Sequence, residues 1–273
     1  MNGARREGPG TSPVDPEAAG ALGEPPVPPD FALRILRRVG IARERYDTYV
    51  RLDSAAGELF VAFTPVAVSG SALASGGLTA ELFEERHRAR TGRSAIPATK
   101  RFPGLVTAVR TGRARKLPLD LGPVETVDAR VLDAVRTVPA GQLRPLSWVA
   151  REAALPDSAS PEAVLGALAR NPLVVLIPCH RVTYENGTPC DAAYSPDAGD
   201  ALRVAEGLDL AEVRRWSSSG AAFLGSDTTR IYCHPTCAHA RRITAPHQVP
   251  FTTAREAGRA GYRACKSCRP LSV

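Results

Sequence analysis

Short apolar runs separated by turn residues divide this chain before any chemistry is considered. Residues 46–52 and 58–63 are rich in β-branched and aromatic side chains. Asp53-Ser-Ala-Ala-Gly57 lies between them, and the pattern predicts two strands joined as a hairpin. Thr79 is a natural helix N-cap and Gly92 a natural stop, which predicts a helix running to about Thr91. The stretch 31–120 therefore reads as a small α/β unit, and it shows no catalytic constellation of its own.

Beyond residue 120 the apolar period lengthens. Thr126 can cap a helix whose apolar positions Val127, Val131, Leu132 and Val135 share one face before Pro139 ends it. A short helix follows around 147–154, limited by Pro156. Ser160 is a good N-cap, Pro161 suits the first helical position, and Asn171-Pro172 closes a third helix. Two short helices joined by a tight turn are compatible with a helix-turn-helix, a pattern also found without DNA partners. Leu173-Val-Val-Leu-Ile177 is continuously apolar and reads as a buried strand leading into Pro178-Cys-His-Arg-Val182. Further helices are expected around 199–206 and 209–216, with Ser217-Ser-Ser-Gly220 as a linker into a cysteine-rich end. Residues 1–30 hold seven prolines and five glycines without apolar periodicity and read as a disordered tail.

Composition narrows the function classes. A chain of 273 residues with 44% hydrophobic content can bury a real core and has room for two compact units. No apolar run approaches the ~20 residues a membrane span needs, and residues 1–30 carry no signal-peptide core, so a cytoplasmic protein is expected. The net charge is +7. Residues 230–273 hold eight lysines and arginines against one acid, Glu256, so this end accounts for the whole excess. A neutral body with a basic end points to a polyanion such as nucleic acid, or else to a solvated basic surface.

Four of the six cysteines sit in that basic end, as Cys233-x3-Cys237 and, 27 residues on, Cys265-x2-Cys268. Two paired spacings in an intracellular chain read as metal ligation rather than disulfides, and four thiolates favour tetrahedral Zn2+. In so small a segment the metal would stand in for a missing core. His234, His239 and His247 are alternative ligands. A zinc that only staples the fold is the plainer reading of the spacing.

The other chemistry-bearing string is Ile177-Pro-Cys-His-Arg-Val182. A thiol attacks only as thiolate, so Cys179 needs a base, and His180 could serve through a water. With Asn171-Pro172 and the apolar run before it, this string resembles the active-site segment of the O6-alkylguanine-DNA alkyltransferases. Residues 53–64 resemble that family's first hairpin and residues 144–150 the start of its helix-turn-helix, so the likeness covers roughly 45–210. It implies DNA bound through the minor groove, a flipped guanine, and irreversible alkyl transfer to the protein. Cys179 would be the acceptor, His180 the water-mediated base, Glu206 the group orienting the histidine, and Asn171 the shaper of the active-site turn. The chain departs from the family where an Arg that enters the duplex becomes Glu162. Expected tyrosines fall at Leu146 and Ala192, a glycine becomes Cys190, and a lysine becomes Gly199.

At the other end, Gly225-Ser-Asp-Thr-Thr-Arg-Ile-Tyr-Cys-His-Pro-Thr-Cys237 and Gly261-Tyr-Arg-Ala-Cys-Lys-Ser-Cys-Arg-Pro270 resemble the metal-binding domain of the Ada family. That resemblance implies zinc on Cys233, Cys237, Cys265 and Cys268, with Cys233 accepting a methyl group from a DNA phosphotriester. Arg241, Arg242, Arg263, Lys266 and Arg269 would hold neighbouring phosphates. The fold expected is an α/β subdomain (31–120) and a helical, helix-turn-helix-like alkyltransferase domain (121–216), followed by a small zinc-bound α+β domain (221–273). Alkylated double-stranded DNA is the expected partner and a monomer the expected state. The alternative is a zinc protein that recognises lesions or regulates transcription without transferring anything.

Overall fold

The computed structural model describes residues 28, 30–156 and 161–270. Helix α1 (Phe31–Arg38) leads into β1 (Tyr46–Ser54), β2 (Gly57–Phe63) and β3 (Val68–Leu73), followed by α2 (Ala80–Thr91), β4 (Ser94–Pro97) and α3 (Leu105–Thr111). The strands form one sheet in the order β3-β2-β1-β4, antiparallel except for β4 beside β1. The hairpin predicted at 53–57 is present, closed at Gly57 with φ +103°. Thr79 Oγ1 accepts from the Leu82 amide and Gly92 closes α2 in the left-handed region, as the two residue types dictate.

β1 and β2 are buried on both faces. Tyr49, Phe60 and Ala62 pack with Phe83 of α2 and with Ala95, while Val50, Leu59 and Val61 join the main core. Within the sheet Asp47 is buried among Ser69, His87 and Arg93. Burial alone would push its carboxyl up, but those hydrogen bonds outweigh it and hold it well below the usual range.

The second part contains α4 (Thr126–Arg136), β5 (Arg144–Pro145), α5 (Leu146–Glu152), α6 (Pro161–Ala169), β6 (Val182–Thr183), α7 (Pro196–Ala205) and α8 (Leu210–Ser218). Helix α4 packs on α5 and α6 through Val131, Leu132 and Val135. Thr126 is already inside α4, whose cap position is Glu125 with no side-chain hydrogen bond, and Val127 is exposed. Val127 sits in the first turn of α4 and stays exposed, while Val131, Leu132 and Val135 of the later turns are buried. Ser160 lies outside the described residues, as do the residues 1–27 of the proposed tail. Asp209 caps α8. The serine linker is shorter than expected, because Ser217 and Ser218 finish that helix.

The run 173–177 is buried as predicted but is not a strand. Asn171 Oδ1 accepts from the Leu173 amide at 2.9 Å and its Nδ2 donates to the Ile177 carbonyl at 3.0 Å, folding the chain back on itself. Val175 sits at φ +71° at the tip. Its amide donates to the Tyr194 hydroxyl at 2.9 Å, and Ser71 Oγ donates to the Val174 carbonyl at 2.7 Å. Side chains thus satisfy polar groups that a ladder would otherwise have used, and an apolar run becomes a buried turn.

The last part is a second sheet of β7 (Phe223–Ser226), β8 (Ile231–Cys233), β9 (Gln248–Phe251) and β10 (Arg263–Ala264), with α9 (Ala254–Arg259). Its order is β10-β8-β7-β9. Gly225 is needed because a Cβ there would come within 2.7 Å of the Phe251 and Tyr262 rings. This sheet is joined to the helical part by buried bonds: Trp148 Nε1 donates to the Cys268 carbonyl at 2.9 Å, and the Leu143 amide to Thr236 Oγ1 at 2.7 Å. Among the described residues no helix is long and apolar enough to cross a membrane.

Candidate active site and candidate metal centre

Pro178 breaks the buried turn into one 3-10 turn, Cys179–Arg181, whose three side chains are all buried. Cys179 is 0% exposed. Its sulfur lies 3.1 Å from Asn171 Nδ2. The orientation of that amide is fixed independently by its bonds to Leu173 and Ile177, so the group facing sulfur is a donor. Burial pushes the thiol up to about 12, and the Asn171 hydrogen bond pulls only partly against it. In this enclosure Cys179 is a neutral thiol that needs a base.

His180 Nε2 lies 2.9 Å from Glu206 Oε1. Glu206 follows α7 and also accepts from Arg181 at 2.6 Å and from the Gly141 amide at 2.9 Å. Burial would raise the Glu206 carboxyl, but the hydrogen bonds from His180 and Arg181 win and hold it at about 2. It is an anion at every ordinary pH. Burial drives His180 the other way, below its normal value, so the imidazole is neutral and Nε2 carries the proton toward Glu206. Nδ1 is then the basic nitrogen, and it is buried with no partner in the structure. Asn171, Cys179, His180 and Glu206 are brought into one cluster.

Three participants were missed in the sequence. Arg181 binds both Glu206 oxygens, sharing Oε1 with His180, and donates to the Val138 carbonyl at 2.6 Å, which fixes the carboxylate. Arg203, fully buried, donates to the His180 carbonyl at 2.8 Å and pairs with Asp191 and Asp200. Its signal was an arginine on the buried face of α7, beside Leu202. Tyr194 stands edge-on to His180, with ring centroids 5.8 Å apart. Ala192, where a tyrosine was sought, is exposed, and the aromatic ring comes from two residues later. Gly199 has a local reason, since a Cβ there would collide with the Asp191 carboxylate beside Arg203. Leu146 is buried in the core, Cys190 is buried, and Glu162 lies in the first turn of α6.

In the second sheet Cys233, Cys237, Cys265 and Cys268 are all buried, and their sulfurs lie within 4.8 Å of one another. All are free thiols. Sulfurs at the corners of a zinc tetrahedron are about 3.8 Å apart, so the donor set and its spacing fit Zn2+. Bonds from Cys233 and Cys268, with help from the amides of His239 and Ala240, hold the Cys237 thiol low. The three histidines stand apart. His239 is exposed, and His247 is exposed and bonded to Asp227 at 2.9 Å. Buried His234 is pushed down to about 3, first by burial and then by Arg144.

Cys233 and Cys265 lie on the wall of a cavity of about 510 Å3 that Arg242, Arg263 and Lys266 also line. Arg241 is exposed beside Gly141, and Arg269 pairs with Glu152 of α5. Three of the five expected phosphate-holding residues thus share a surface with Cys233, and two face the helical part.

Residues 126–208 match the DNA-binding domain of 6-O-methylguanine DNA methyltransferase, and residues 211–270 match the metal-binding domain of Ada. A methylated-DNA–protein-cysteine methyltransferase of Methanothermobacter thermautotrophicus is 42% identical over 69 residues, which are 25% of this chain and 37% of that protein. Its namesake in Archaeoglobus fulgidus is 47% identical over 53 residues, 19% of this chain and 33% of that protein. The chain thus spans about a third of the length of these curated relatives. A crystal structure of an OGT variant from Mycobacterium tuberculosis covers 61% of this chain and 98% of its own, at 22% identity and a TM-score of 0.46. Two adjacent stretches of this chain are thus similar, the first to the DNA-binding domain of 6-O-methylguanine DNA methyltransferase and the second to the metal-binding domain of Ada.

Proposed function

We propose that this protein repairs alkylated double-stranded DNA by moving alkyl groups irreversibly onto its own cysteines. O6-alkylguanine delivers to Cys179 and a methyl phosphotriester to Cys233, once per site. The observation that carries the reading is a buried thiol held by Asn171 next to a neutral histidine whose far nitrogen is fixed on Glu206.

The chemistry follows from those groups. His180 Nδ1 takes the Cys179 proton through one water while Glu206 stabilises the imidazolium that forms. The thiolate attacks the alkyl carbon, a carbon–sulfur bond forms, and the carbon–oxygen bond breaks with its electron pair left on guanine O6. The departing base takes up one proton and becomes ordinary guanine. The target atom lies inside the duplex, so the nucleotide must be flipped out to reach Cys179.

At the other site zinc, when bound, keeps its four sulfurs deprotonated at neutral pH. The Cys233 sulfur takes the methyl carbon of a phosphotriester, and the released electron pair restores the phosphodiester anion. A methylated phosphate has lost its charge, so it does not repel a thiolate, and Arg242, Arg263 and Lys266 can hold the charged phosphates on either side. We read the protein as a monomer working in the cytoplasm, since one chain holds both sites.

Peptide mass mapping after incubation with methylating-agent-treated duplex DNA tests this. Methyl on Cys179 and on Cys233, each abolished by its own Cys→Ser substitution, is the expected result. A second reading, a lesion-binding or regulatory protein without transfer, is favoured by the complete burial of Cys179 and by Glu162 on α6. It predicts salt-sensitive DNA binding with neither cysteine methylated.

A further inference from the structure

Arg144 opens β5 and is 2% exposed. Its guanidinium donates to two neutral acceptors, the Leu143 carbonyl at 2.7 Å and the Gln142 side-chain oxygen at 2.6 Å. Nε has no partner, and among the described residues no carboxylate forms a salt bridge with this side chain. A buried cation without an anion is strongly disfavoured, so the anion has to be sought nearby.

The structure offers one. The guanidinium lies 5.6 Å from the centroid of the Trp148 ring. Trp148 Nε1 in turn donates to the Cys268 carbonyl at 2.9 Å. Leu143, next to Arg144 in the chain, donates its amide to Thr236 Oγ1, between Cys233 and Cys237, at 2.7 Å, so Arg144 borders both cysteine pairs. Four thiolates around one divalent ion leave a net double negative charge, and all four cysteines are buried.

We propose that Arg144 is the counter-charge of the metal–thiolate centre, supplied from the helical part across the junction between the two matched domains. The placement has a second consequence. Arg144 pairs in parallel register with Val182, three residues after Cys179, so one short strand pair touches both cysteine sites. The inference rests on the metal reading of the four cysteines and does not depend on alkyl transfer.

The test uses the full chain in zinc-loaded and chelated forms, comparing wild type, Arg144→Leu and Arg144→Lys. In the loaded form Arg144→Leu should lose zinc to a competing chelator roughly tenfold faster or more, while Arg144→Lys, which keeps the charge, stays near wild type. In the metal-free form, at a pH where thiols are protonated, the cation has lost its anion. Chelation also opens the cysteine segment beside Arg144, so there Arg144→Leu should melt close to wild type, its penalty being confined to the loaded form. Equal shifts in both forms, or zinc loss at the wild-type rate, would overturn the proposal and leave Arg144 a packing residue. If Arg144→Leu does not accumulate folded, Arg144→Gln takes its place in the same comparison. A wild-type chain that takes up no zinc would instead mark failure of the metal reading itself.

Discussion

Asn171 donates to the Cys179 sulfur at 3.1 Å with the same nitrogen that donates to the Ile177 carbonyl, so one amide both builds the active-site turn and solvates the thiol. Asn171→Ala would strand the buried Leu173 amide, while the Ile177 carbonyl keeps its bond from the Cys179 amide. The expected cost is roughly 1–3 kcal/mol in urea unfolding, from one unsatisfied donor. Asn171→Asp would put an anion beside the sulfur, so alkylation of Cys179 should slow more than the loss of stability explains. Mass mapping of Cys179 labelling by iodoacetamide distinguishes the two effects.

Glu206 supplies a pH signature. Its folded-state carboxyl is depressed from 4.5 to about 2, so its contribution is complete above pH 4.5 and is lost as pH falls through 2. A shift of that size corresponds to about 3 kcal/mol. Asp47, depressed in the same direction, acts in the same acid range, so the comparison must be differential. Wild type minus Glu206→Gln, followed by chemical denaturation, should shrink across that acid window and be flat above it. A difference that is constant through the window would mean Glu206 is not held as an anion by His180 and Arg181.

Where structure depends on adjacent residues, the sequence was legible. Thr79 and Gly92 bound α2, the 53–57 turn closes its hairpin, and the two cysteine pairs converge on one cluster. The string around Cys179 and the resemblance it carries name Cys179, His180, Glu206 and Asn171, four residues that the fold brings into one cluster. What stayed hidden was set by distant partners. The apolar run 173–177 has strand composition, yet Asn171, Ser71 and Tyr194 satisfy its backbone groups in a turn. Arg144 looks like any surface arginine until Trp148 and the Cys268 carbonyl are placed beside it. Tyr194 is hidden because residue spacing alone puts the expected ring at Ala192, whereas the loop shape decides which ring reaches His180.

Metal removal should unravel one part of the chain and spare another. One side of the second sheet packs on Leu224, Ala240 and the four cysteines themselves, so without the ion that side loses most of its packing, while Tyr232, Phe251 and Tyr262 form a small aromatic cluster on the other. Chelation should open residues 223–270 to limited proteolysis while the sheet carrying Phe60 and Val61 stays resistant. Uniform protection of both parts after zinc loss would show that the second sheet folds without metal.

Gly199 tests the Asp191–Arg203 pair beneath His180. A methyl group there meets the Asp191 carboxylate, so Gly199→Ala should displace the pair, loosen the Arg203 bond to the His180 carbonyl and cost about 1–3 kcal/mol as overpacking does. Cys179 labelling should change along with stability. Asp191→Ala in the same background should relieve the clash, and a Gly199→Ala chain as stable as wild type would remove Arg203 from the positioning role given to it.

Glu162 is where charge and DNA binding can be read against each other. It stands in the first turn of α6, where a carboxylate favours the helix end but repels phosphate. Glu162→Arg trades that local benefit, a few tenths of a kcal/mol to about one, for attraction to DNA. If α6 faces the duplex, affinity for undamaged DNA should rise and the slope of log K against log salt should steepen by about one for one new phosphate contact. A variant that binds DNA with unchanged affinity and slope would place α6 away from the duplex. The basic cavity beside Cys233 would then be left as the surface that carries DNA binding.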